Sequence, residues 1–197
     1  MWVWRLKQSL FGPAKAIELD SAIFELKARP TSGLPDYLLG KPDLTNTNGL
    51  QVWIIDKDEL FALRRGLSMA PGNKMISRPR VSTAHGIQGT LSVGGNIAVD
   101  GTQRWCGVVM EFSPRVSRHS TDLTMITTLS EAVTNEVAGS VNHPGTNFVS
   151  VRTNLALAAR IQIPNGSGVF LLNNGQDGKN EKRMGILISA SQPRTKK

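Results

Sequence analysis

From Val149 to Ile163 the odd positions are apolar except Thr153, and the even positions hold no large apolar residue. The odd positions are Val149, Val151, Thr153, Leu155, Leu157, Ala159, Ile161 and Ile163, and the even ones are Ser150, Arg152, Asn154, Ala156, Ala158, Arg160 and Gln162. A period of two places successive side chains on opposite faces of a strand. At about 3.3 Å per residue the segment would extend to roughly 50 Å. The pattern predicts one long or gently bent strand, or two arms bent near Asn154, with the odd residues inward. Asp122 to Glu131 repeats the alternation, with Leu123, Met125, Thr127 and Leu129 on one face.

Shorter segments predict the rest of a sheet. Met75 to Thr83, Thr90 to Val93 ending at Gly94-Gly95, and Val108 to Phe112 stopped by Pro114 read as strands, as do Val169 to Leu172 and Gly185 to Ala190. One helix is predicted at 57–67. Asp56 and Glu59 have capping-box spacing, Leu60, Phe61, Leu63 and Leu67 share a side, and Arg64-Arg65 before Gly66 suit a C-terminus. Ile17 to Arg29 is ambiguous between strand and helix, with strand favoured at 22–29. Residues 30–49 hold Pro30, Pro35, Pro42, Gly33, Gly40 and Gly49 and read as an irregular connection. The expected organisation is an N-terminal segment with a Pro/Gly-rich linker at 1–49, a β domain at 50–192 and a basic tail at 193–197. The fold class is α+β, mostly antiparallel β.

Charge sharpens this picture. The net +8 is carried by the two ends: residues 1–16 contribute +3 and residues 179–197 contribute +5, while 17–178 hold 14 basic and 14 acidic residues. A nucleic-acid reader concentrates its basic residues on a face or helix, so specific nucleic-acid binding is not expected. The tails are expected to attract polyanions weakly and without sequence preference. No stretch reaches the 18 apolar residues of a spanning helix, and the opening Met1 to Lys7 lacks the apolar run of an export leader.

The chain offers no constellation for catalysis. Cys106 is the one cysteine and has no internal disulfide partner; beside Trp105 it reads as a small core residue. His85, His119 and His143 sit in separate turns without metal-ligand spacing. Ser167 lies in an N-G-S-G turn rather than a nucleophile elbow, and Gly166 and Gly168 continue into a strand rather than a phosphate-binding loop. No catalytic, cofactor or metal residue is predicted, and no cofactor is expected.

Three β segments in order resemble the conserved domain of secretins, the ring-forming outer-membrane channels of bacterial secretion and type IV pilus systems. Ile76 to Thr83, with Arg78 and Pro79, followed by Gly89 to Gly94, is similar to the family's S-x-P strand and the strand after it. Gly107 to Val116, with Pro114, followed by Asp122 to Thr127, is similar to its G-hydrophobic-x-L-x-V-x-P segment. Arg152-Thr153 through Pro164-Asn165-Gly166 to Leu172 is similar to its T-R to D-G-x-T stretch. The resemblance covers about residues 52–192, and the family's late V-P-x-L to I-P segment has no counterpart at 176–184.

That likeness implies a structural or assembly subunit that is not an enzyme, partnered with copies of itself by edge-strand pairing in a ring, and in contact with the outer membrane. It places the chain in the bacterial envelope if an export leader lies upstream. Its family-motif positions are Arg78, Pro79, Gly94, Gly107, Pro114, Arg152, Thr153, Pro164 and Gly166. The residues alone leave open a free-standing β module that binds a protein or polysaccharide.

Overall fold

A computed structural model describes residues 16–26, 42–45, 50–137, 146–173 and 183–191. In chain order its elements are β1 (Ala16–Leu26), β2 (Leu44–Thr45), β3 (Leu50–Asp56), α1 (Lys57–Met69), β4 (Lys74–Ser77), β5 (Arg80–Ala84), β6 (Gly89–Val99), β7 (Thr102–Val116), β8 (Ser120–Val137), β9 (Thr146–Pro164), β10 (Ser167–Asn173) and β11 (Arg183–Ser191). The larger sheet runs β2-β3-β10-β11-β1-β4, with β5 also on β1; the smaller is a meander, β6-β7-β8-β9. Every pairing is antiparallel, as the alternating patterns predicted.

The layers are α1, the larger sheet and the smaller sheet. Along β1, Ile17, Leu19 and Ile23 join the core between the sheets, while Ala22, Phe24 and Leu26 join the core under α1. β10 divides in the same way, with Val169 and Leu171 on one side and Phe170 and Leu172 on the other. A strand covered on both faces needs apolar residues at consecutive positions, which is why β10 and β11 read as unbroken apolar runs.

Several expectations need correction. The favoured strand at 22–29 begins earlier, at Ala16; residues 27–29 lie outside those described. β1 comes from the 1–49 segment yet sits inside the larger sheet, which therefore draws on both sides of residue 50. The helix runs two residues past 67, with Leu63 and Leu67 buried one turn apart. Asp56 is at the N-cap but makes no side-chain cap bond; its Oδ1 instead accepts from the Ser167 hydroxyl at 3.5 Å. Arg64 and Arg65 lie inside the helix rather than at its end, and Arg64 reaches Asp20. β7 continues through Pro114 to Val116. Gly94-Gly95 does not end β6, which continues to Val99 and turns back at Asp100-Gly101, both with positive φ (48° and 73°). Asp-Gly is a strong two-residue hairpin signal, and the β6–β7 turn is made at this pair.

The predicted two-faced strand at 149–163 exists within β9, but only its second half keeps the odd-in rule. Leu155, Leu157, Ile161 and Ile163 are buried. Leu129 of β8 pairs with Leu155, yet Ser130 pairs with Thr153, so Asn154 is unopposed and forms a β-bulge. One extra residue exchanges the faces of everything before it. Val151 and Val149 therefore pair with Ala132 and Thr134 on the face away from the core, and Val149 is 39% exposed.

Candidate functional surface

The smaller sheet is built for length. β7, β8 and β9 have 15, 18 and 19 residues, and no described strand pairs with the outer edge of β6 or of β9. Its inner face is held by Leu91, Met110, Phe112, Met125 and Leu157 against the larger sheet. Among the described residues no layer covers its outer face, and the residues presented there are mostly small or hydroxylated. From Ile126, 49% exposed, to Thr134 along β8, the register partners on β9 are Ala158, Ala156, Thr153, Val151 and Val149, a stretch without charge. At roughly 3.3 Å per residue it is about 26 Å long. Charge returns at the end nearer the β7–β8 turn, with Glu111, Arg115, Asp122 and Arg160.

Gly94 and Gly107 are register partners across the β6–β7 hairpin. Both have positive φ, 153° and 141°. A Cβ on Gly94 would lie 2.2 Å from the carbonyl oxygen of Cys106, and one on Gly107 would lie 2.3 Å from that of Val93. The two backbones approach so closely that only glycine fits at either position. Residues 95–106 continue past this pair as a hairpin arm, and Cys106 and Trp105 are half-buried there rather than in the core.

The remaining motif positions are spread over the fold and do not converge on one pocket. Arg78-Pro79 joins β4 to β5 along β1, where Pro79, unable to donate, lends its carbonyl to the amide of Ser21 (3.0 Å) and to its hydroxyl (3.1 Å). Pro114 lies beyond the paired part of β6, and its carbonyl accepts from Gly86 N–H at 2.7 Å. Its missing N–H therefore faces away from β8, so no bond of the β7–β8 ladder is lost. Arg152 stands opposite Glu131, and Thr153, beside the bulge, has its hydroxyl 3.4 Å from that of Ser130. Pro164 ends β9 opposite Ser120, and Gly166 turns the chain into β10 with φ 84°.

One electrostatic cluster escaped the sequence reading. The Asp20 carboxylate of β1 accepts from Arg64 of α1 (3.3 Å), from Arg78 (3.4 and 3.2 Å) and from Arg80 of β5 (3.2 Å), and Arg80 also meets Glu18 at 3.5 Å. Burial pushes the Asp20 pKa up, but the hydrogen bonds and charges of Arg78 and Arg80 outweigh it and hold the carboxyl below its usual range. The partners are 44 to 60 residues from Asp20 in sequence, beyond any local pattern.

Of the histidines, His85 and His119 are exposed, His85 accepting from the Val116 N–H at 2.9 Å; His143 lies outside the described residues. Among the described residues no three His, Cys, Asp or Glu side chains are grouped to hold a metal, and no helix is long and apolar enough to cross a membrane.

No protein-family model matches the chain, and no curated protein matches it. Solved structures do. The chain is similar to one in the Klebsiella pneumoniae type II secretion system outer membrane complex of PulD, PulS and PulC HR domain, at 11% identity and a TM-score of 0.50, covering 98% of this chain and 43% of that one. It is similar to the type II secretion system secretin XcpQ from Pseudomonas aeruginosa at 10% identity and a TM-score of 0.50, covering 98% of this chain and 63% of that one. The chain thus spans less than two thirds of either. At such identity the likeness is one of architecture, and over nearly its whole length this chain is secretin-like in fold.

Proposed function

We propose that the chain is a non-enzymatic structural subunit that assembles with copies of itself into a ring in the bacterial envelope, as the secretin-like fold suggests. The observation that carries this reading is the pair of unlike edges on the smaller sheet, β6 and β9, with which no described strand pairs. Because β6 to β9 alternate in direction and are four in number, joining β9 of one copy to β6 of the next continues the antiparallel pattern unbroken. Pairing two different edges is a heterologous contact, which closes into a ring when the rotation between copies is a simple fraction of a turn. Closure also removes edges that would otherwise recruit strands indiscriminately.

The uncharged stretch of the outer face supports contact with the outer membrane. Its length of about 26 Å matches the apolar band of roughly 25 Å on membrane-spanning barrels. Beyond the paired glycines the β6–β7 hairpin arm continues past the start of the β7–β8 register at Gly107, an arrangement suited to projecting an element from a wall.

Analytical ultracentrifugation of the chain in detergent and with lipid tests the assignment. Defined high-order oligomers are expected. A monomer that stays soluble and unchanged by lipid would refute it and favour a free-standing β module that binds a protein or polysaccharide.

A further inference from the structure

The body of the chain is neutral as a whole, yet one end of it is not. A cleft of about 700 Å³ opens between α1, the outer ends of β1, β5 and β11, and the turns at 117–118 and 165–167. Four cationic residues line it, Lys57, Arg64, Arg80 and Arg118, against two acidic ones, Glu18 and Asp20. Arg64 and Arg80 present about ten N–H donors between them, and among the described residues two contacts to Asp20 and one to Glu18 engage them. Lys57 and Arg118 have no ion-pair partner among the described residues. Asp20 fixes the orientation of the guanidinium groups without neutralising them.

The cleft also has an apolar side. Leu60 and Phe61 line it from α1, Phe61 is 62% exposed, and the Arg64 guanidinium carbon lies 5.6 Å over the Phe61 ring centre. Lys57, Leu60 with Phe61, and Arg64 are one turn apart, so cationic and apolar contacts alternate along the cleft at a spacing of about 5 Å. In sequence, Arg194, Lys196 and Lys197 carry the same sign as the cleft and do not complement it.

We propose that this cleft binds an acidic peptide segment of a partner protein, one in which carboxylate side chains alternate with apolar ones. Guanidinium groups held in a fixed fork match carboxylates, and Leu60 and Phe61 receive the apolar side chains between them. A single nucleic-acid strand fits less well, because among the described residues Phe61 is the one aromatic lining the cleft and one face of its ring is already covered by Arg64. The inference does not depend on ring assembly, since none of the residues lining the cleft belongs to β6 or β9.

The test is fluorescence anisotropy of the full chain with a labelled peptide of three Glu-Leu repeats, beside one of three Gln-Leu repeats. The acidic peptide should bind saturably and at least about tenfold tighter. Replacing exposed Lys57 and Arg118 together with Glu should weaken it by about tenfold or more, with the circular dichroism of the chain unchanged. Arg115→Glu, an exposed site outside the cleft, should leave binding as it was, and Phe61→Ser should weaken both peptides. Equal binding of the two peptides, no saturation by about 1 mM, or binding that survives the double reversal would overturn the proposal, the last because the tails would then be the site. Stronger competition by a hexathymidine strand than by unlabelled acidic peptide would overturn it in favour of nucleic acid.

Discussion

Leu157 and Arg160 are three residues apart in β9 and face opposite sides of the smaller sheet, so they test the inward face of that strand directly. Leu157 is 7% exposed and pairs with Thr127, itself fully buried. In Leu157→Asp the lost apolar burial costs about 2–3 kcal/mol. The carboxyl must then either be buried charged or take up a proton. From an ordinary pKa near 3.9, protonation at pH 7 costs at most about 4 kcal/mol, at 1.36 kcal/mol for each of roughly three pH units. The Thr127 hydroxyl, which has no hydrogen-bond partner among the described residues, could return about 1 kcal/mol. The net loss of about 5–6 kcal/mol is comparable with the whole stability of a domain of this size. Arg160→Asp changes an exposed residue opposite exposed Thr124 and should cost under about 1 kcal/mol.

Urea denaturation at pH 7 and pH 4.5 separates the contributions. A buried carboxyl whose folded pKa is raised contributes destabilisation that grows as pH rises above its unfolded value, so Leu157→Asp should recover about 3 kcal/mol at the lower pH relative to the parent protein. Leu157→Asn, which carries no charge, should show no such recovery. Equal losses from Leu157→Asp and Arg160→Asp would mean that β9 does not present its odd residues to the core and would refute the reasoning.

Other outcomes follow from single contacts. Gly107→Ala should lower the melting temperature by more than about 5 °C, because its Cβ meets the Val93 carbonyl oxygen, whereas Gly95→Ala, with nothing near its Cβ, should leave it within about 2 °C by calorimetry. Asp20 has a lowered pKa, so the stability it contributes is present above about pH 4 and is lost as pH falls through its folded value. Asp20→Asn should therefore flatten the acid limb of a stability–pH curve. Deleting residues 1–15 and 192–197 should remove most salt-sensitive binding to single-stranded DNA while preserving the β-sheet circular dichroism. What remains in either assay should not depend on DNA sequence.

The order of three motif segments carried the secretin-like resemblance, while alternation was enough to read the antiparallel strands at 122–131 and 155–163 and the helix after Asp56. Each of these is local, repeating every two or four residues within one element. Tertiary structure decided the rest. Val149 and Val151 share the odd frame of Leu155 and Leu157, and only pairing with β8 reveals that Asn154 is left over and that the two valines face outward. Gly94 and Gly107 are ordinary glycines in sequence; their need for glycine arises from each other's backbone across the hairpin. Asp20 reads as one acid in an ambiguous segment until β1 is placed beside β4, β5 and α1, which brings three arginines onto its carboxylate. A sequence pattern records which face of an element is apolar, but which residues oppose one another across elements is settled by register and packing, since those contacts join positions tens of residues apart.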